Sequence, residues 1–157
     1  TGTATLTTTG GILLDTCTGG GVHGTTANTG SATETVRGTV AKTGVTWFPC
    51  TKTTDTLEGG ELEIHWISGT KNGTVTGKGF LVTVEVAAEL GGSCSYTLGT
   101  TMVDLGTLIG STTGDATLAI NAVVKIGTGQ SILCPTSAKW VANYTVTTPT
   151  PLHVTEK

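Results

Sequence analysis

The stretch Glu61-Leu62-Glu63-Ile64-His65-Trp66 carries the residues best equipped for chemistry. Alternate residues of a β-strand share a face, so Glu61, Glu63 and His65 would stand together, the glutamate Cα atoms about 7 Å apart. A carboxylate pair is what glycoside hydrolysis uses as acid and base. No aromatic subsite accompanies this pair, because Trp66 alternates to the opposite face. The stretch therefore reads as the solvated face of a strand, and a hydrolase built on it is the third of three functional readings.

The other reactive residues are isolated. His23 in "GGGVHG" sits in a loop that could cradle an anion through its backbone N–H groups, but neither a lysine nor a helix follows it, as a phosphate loop would require. Asp15, Asp55, Asp104 and Asp115 are too dispersed for a calcium loop. Ser93 stands beside Cys94, and no G-x-S-x-G elbow is present. The expectation is a protein that is not an enzyme, with no cofactor and no metal.

Cys17, Cys50, Cys94 and Cys134 lack both C-x-x-C spacing and a histidine at ligand distance in sequence. They read as two disulfides, which places the chain outside a reducing cytosol. Of three pairings, Cys17 with Cys50 and Cys94 with Cys134 is preferred, since each half of the chain then closes its own loop. Chain entropy assigns loops of this size roughly 3.5 to 4 kcal/mol each.

The elements that would position these residues are strands. Among 157 residues, 38 are threonine and 24 glycine, while aromatics make up only 4%. Threonine favours strands and glycine favours turns. No ten-residue window shows helical apolar spacing free of glycine, and "LVTVEVAAEL" also reads as alternating strand. A single domain spanning 1–157 is expected, an all-β antiparallel sandwich of 8–11 strands, Ig-like or jelly-roll-like, stapled by the disulfides. Strands are predicted at "SATETVRGTVA", "SCSYTLG", "MVDLGTLIG", "ATLAINAVVKI" and "AKWVANYTVTT". Leu62, Ile64 and Trp66 form the inward face of one long strand; Phe80, Val82, Val84 and Val86 form that of the next, joined by a tight turn at Asn72-Gly73.

A net charge of −3 with eight scattered basic residues excludes the basic stripe that nucleic acid requires. No apolar run approaches the roughly 18 residues of a membrane span. Extracellular or cell-surface localisation is expected, through a signal peptide already removed. Asn72 and Asn143 each begin an N-glycosylation sequon.

Trp47 and Phe48, next to Pro49 and Cys50, are expected to pack on a disulfide and close one end of the sandwich. Trp140 and Tyr144 share a strand face. The second functional reading is a monomeric binding module for carbohydrate or an apolar ligand, using Trp47, Trp66 or Trp140. A sugar platform needs those rings exposed, so buried rings would count against it.

The segments "SCSYTLGTTMVDLGTLIG", "ATLAINAVV" and "LCPTSAKWVANYTVTTPTPLHV" resemble a group of small secreted bacterial proteins. These are threonine- and glycine-rich, actinobacterial in type, carry four cysteines and have no assigned activity. The likeness covers most of the chain from Cys17 onward. The opening "TGTATLT" is similar to the start of secreted activator-of-alkane-oxidation proteins, from which the ending of this chain departs. Both resemblances imply an extracellular β-sandwich, exported and then oxidised, and neither implies a catalytic residue.

In "TGTATLTTTG" threonines alternate with Gly2, Ala4 and Leu6, in a strand free of charge. Such a segment suits donor-strand exchange, with Gly2, Ala4 and Leu6 entering a neighbour's core. A heterologous contact of that kind propagates. The leading expectation is therefore a secreted structural subunit whose partners are copies of itself, assembling into a filament or surface polymer with residues 1–9 as donor. The ending "TPTPLHVTEK", where Leu152 and Val154 alternate, is the competing donor. A threonine ledge of this kind also serves ice binding, but the repeat needed to stack such ledges is absent.

Overall fold

A computed structural model describes residues 2–29 and 34–155. Those residues form eleven strands: β1 (Gly2–Thr8), β2 (Leu13–Cys17), β3 (Gly21–Val22), β4 (Thr25–Thr26), β5 (Val36–Val40), β6 (Val45–Thr46), β7 (Thr54–Trp66), β8 (Gly73–Glu85), β9 (Ser93–Ile109), β10 (Ala116–Ile126) and β11 (Ser137–Val146). Every pairing is antiparallel, and nine strands make one sheet in the order β2-β1-β11-β10-β9-β8-β7-β5-β4. β3 and β6 form a separate ribbon. The expected all-β antiparallel fold is present, and its opposed layers are two sides of one curled sheet.

The curl closes at β2. Cys17 bridges Cys50, Thr18 N–H donates to the Pro49 carbonyl and Thr51 N–H to the Thr16 carbonyl. Glu85 N–H reaches the carbonyl of Thr53. The chain entering β7 thus lies between β2 and β8, leaving neither of those flanks as an open edge. Asp15 locks this seam. Its buried carboxylate accepts from Thr16 N–H (2.7 Å), Thr51 Oγ1 (2.7 Å), Lys52 N–H (2.8 Å) and Thr54 Oγ1 (2.5 Å). Both disulfides join the preferred partners, Cys17 with Cys50 and Cys94 with Cys134. They suit an oxidising, extracellular setting.

The three longest strands bend together where Gly60 faces Gly79 and Gly79 faces Gly99. Gly79 and Phe80 both take positive φ, 76° and 46°, which turns the Phe80 ring inward. A Cβ on Gly60 would run into that ring and into the Lys78 carbonyl. The glycines therefore mark a corner that lets β7, β8 and β9 serve both layers.

Several local expectations change. "SCSYTLG" and "MVDLGTLIG" belong to one strand, β9, because Gly99 bends the strand without ending it. The β7–β8 turn spans Ile67–Asn72, where Gly69 takes φ 75°, and Gly73 already belongs to β8. Gly73 serves packing, since a Cβ there would lie 2.6 Å from Ile64 Cγ2. Part of "SATETVRGTVA" lies outside the described residues, and its strand begins at Val36. Phe48 closes nothing, being 78% exposed.

Candidate functional site

The curled sheet surrounds an apolar cavity of about 80 Å³. Period-2 alternation aims its lining inward: Leu6 from β1, Phe80 from β8, Tyr96 from β9, Trp140 and Tyr144 from β11. Trp47 enters from the segment after β6, its indole edge-on to Trp140 with ring centroids 5.9 Å apart. Trp47 Nε1 donates to Thr56 Oγ1 at 2.8 Å, which fixes the ring.

Two buried polar atoms of residues around the cavity, the Tyr96 hydroxyl and Trp140 Nε1, have no hydrogen-bond partner among the described residues. Tyr96 is only 3% exposed. Burial pushes its pKa up to about 12, so the phenol keeps its proton at neutral pH. Tyr144 is also pushed up to about 12 by burial, against a downward pull from the Trp140 indole.

Two of the three tryptophans expected to contact a ligand, Trp47 and Trp140, meet at the cavity. Trp66 is apart from them and donates to the Thr70 carbonyl at 2.9 Å. All three residues are half-buried. Tyr96, read from sequence only as part of a strand, is the residue that was missed. Its periodicity marks it as inward-facing, but no local pattern marks a hydroxyl without a partner.

The outer face of β7 holds the other candidates. Glu61 pairs with Lys78 Nζ at 3.1 Å and Glu63 with Arg37 Nε at 3.1 Å. His65 Nε2 lies 3.5 Å from Glu63 and 3.4 Å from Thr76 Oγ1. The three stand together, as the alternation requires, over no enclosed site. His23 is exposed, and its N–H donates to the Gly44 carbonyl. Asp15, Cys17 and Cys50 bring a carboxylate and two sulfurs together, but the disulfide consumes both sulfurs, so the trio is not a thiolate ligand set.

β1 lies between β2 and β11 of its own chain, pairing Gly2 with Tyr144, Ala4 with Ala142 and Cys17, and Leu6 with Trp140 and Asp15. The competing segment is also engaged. Ser111 N–H donates to the Leu152 carbonyl, and Val154 N–H to the Lys71 carbonyl, so the segment lies against the β7–β8 and β9–β10 turns.

The chain matches no protein-family model, no curated protein and no solved structure. Among the described residues, no helix is long and apolar enough to cross a membrane.

Proposed function

We propose that this is an exported binding module that holds a small apolar molecule inside its curled sheet. One observation carries the reading: an apolar cavity of about 80 Å³, walled by Trp47, Trp140, Phe80 and Leu6. Tightly packed interiors contain few voids, and an apolar cavity of roughly 150 Å³ takes up benzene or xenon. The smaller space here suits a molecule of a few heavy atoms. No catalytic step belongs to this reading, since Glu61 and Glu63 are engaged in ion pairs outside the cavity.

Xenon tests it. Dissolved under pressure, xenon is expected to shift the NMR resonances of Leu6, Trp47 and Trp140 and to leave Trp66 unmoved. An unchanged spectrum at saturating gas would overturn the reading.

Polymerisation by strand exchange is the second reading, favoured by the placement of β1. Its backbone is bonded on both flanks, and Ala4 and Leu6 reach the core, so the same strand of a neighbouring copy would find the same seat. Exchange must first open the β1–β2 turn, where Gly11 N–H donates to the Thr8 carbonyl and Thr8 N–H to that of Ile12. Unfolding and refolding at high concentration should then yield polymers from the whole chain and none after removal of residues 1–9. Monomers alone from the whole chain would sink this version.

A further inference from the structure

Charge is unevenly placed on this molecule. Residues 2–17 and 116–146 supply β1, β2, β10 and β11, and their charged side chains are Asp15, Lys125 and Lys139 alone. Asp15 is buried, so the outer face of those four strands carries two lysines and no carboxylate, on a chain whose net charge is −3. Neither lysine has an ion-pair partner among the described residues.

The two lysines stand among apolar side chains at one end of the sheet. Thr8, Leu14, Val124 and Ala138 are buried, so their neighbours along each strand point outward. The register sets Leu13 beside Thr7, Thr7 beside Lys139 and Lys139 beside Val123, one outward row across four strands. Lys125 and Ser137 begin the next row, where the Ser137 hydroxyl lies 3.4 Å from that of Thr9. Leu13 and Val123 are 56% and 55% exposed, and the turns beyond them add Ile12, Leu133 and Ile132, the last 99% exposed. Ile132 is held in place on both sides. Gln130 Oε1 accepts from Ser95 N–H at 2.9 Å before it, and Cys134 is bonded to Cys94 after it.

We infer that this end of the sheet rests on a lipid bilayer containing anionic headgroups, with Ile132 and Leu133 entering the acyl boundary. Exposed apolar side chains grouped in this way mark contact with a protein or a membrane. A protein partner has to match shape over roughly 1,000 Å², whereas a bilayer closes around a single protruding side chain. Ile132, bare to water, fits the second. Lys125 and Lys139 can lay their stems along the apolar surface and leave their ammonium groups among phosphates. Strands with no carboxylate on their outer face meet no repulsion there. The contact is peripheral and stands apart from the cavity and whatever the cavity holds.

Sedimentation with vesicles tests it, using phosphatidylcholine alone and phosphatidylcholine mixed with phosphatidylglycerol. The protein is expected to sediment with the mixed vesicles, less with the neutral ones, and less with either in high salt. Ile132→Ser combined with Leu133→Ser should weaken binding about ten-fold or more. Lys125→Gln combined with Lys139→Gln should weaken it about thirty-fold at low salt. All four side chains lie at the surface, so the melting temperatures should stay where they are. Spin-labelled lipid should broaden the methyl resonances of Ile132 and Leu133 and spare Ile109, which is 49% exposed but sits opposite Thr117 at the other end of β10.

Failure to sediment with either vesicle would overturn the inference, as would equal broadening at Ile109. Binding that survives both double substitutions would put the contact elsewhere and overturn it too. Self-association abolished by the Ile132 and Leu133 substitutions, with no vesicle binding, would make this end an interface between copies instead.

Discussion

Asp15 and Glu63 are both carboxylates projecting from strands, and both collect several partners, yet they stand in opposite surroundings. Asp15 is 3% exposed at the seam between β2 and the chain entering β7, where neutral donors surround it. Glu63 stands on the outer face of β7, its own side chain 18% exposed and its partner Arg37 68% exposed, so water reaches the pair from the arginine side. In water an ion pair exchanges one set of good contacts for another and contributes little. Away from water, each donor that loses its acceptor bears the cost of desolvation with nothing in return. The carboxylates that looked chemical in the sequence sit in ion pairs on the outer face, and the one without a motif ties β2 to the chain entering β7.

The largest effect should come from Asp15→Ala. It removes the charged, buried acceptor shared by Thr16, Thr51, Lys52 and Thr54 at the seam and is expected to cost about 4 kcal/mol in denaturant unfolding. A loss below about 1 kcal/mol would erase the distinction drawn between the two carboxylates.

Replacing both Cys17 and Cys50 by alanine should cost roughly 3.5 to 4 kcal/mol, since the bridge closes a long loop across the same seam. Combined with Asp15→Ala, the two losses should fall short of their sum, because both act on the pairing of β2 with residues 49–53. Full additivity would mean that the carboxylate and the disulfide hold separate structures.

The interior contributes a pH dependence of its own. Tyr96 and Tyr144 titrate at about 12 in the folded chain against an ordinary value of 10.0, so between those limits the folded state holds more protons than the unfolded one. Their contribution is complete below pH 10.0 and is lost as pH rises toward about 12. Thermal melts across this window should fall together with the appearance of tyrosinate absorbance. Tyrosinate forming near pH 10.0 with no loss of stability would contradict the burial of both rings.

The smallest effect is expected at the outer face. Glu63→Gln should cost about 0.5 kcal/mol or less, and less still in high salt. A loss comparable to that at Asp15 would make the β7 face a structural site in its own right.

Much of the architecture is legible along the chain. Leu62 and Ile64 pack against the core as the alternation reads, while Trp66 is not among the residues packed there, and the span of "ATLAINAVVKI" is that of β10. The disulfide pairing is the one preferred because each half of the chain then closes its own loop. Gly99 misled because a glycine in a strand can signal either an end or a bend. Only the neighbouring Gly60 and Gly79, far away in sequence, show that it marks a bend. Asn72-Gly73 misled for a related reason: Gly73 is required by Ile64 across the hairpin, while Gly69 supplies the positive φ of the turn.

The sequence by itself determined what depends on neighbours along the chain: strand periodicity, the inward set of apolar residues, and the absence of helix-forming runs. Tertiary structure alone decided that β1 lies between β2 and β11, that Asp15 meets Thr51 and Thr54, and that the buried Tyr96 hydroxyl is left without a hydrogen-bond partner among the described residues. Periodicity states which way a side chain points. What it meets there depends on strands brought together from distant parts of the chain, and an unmet donor exists only once that assembly is complete.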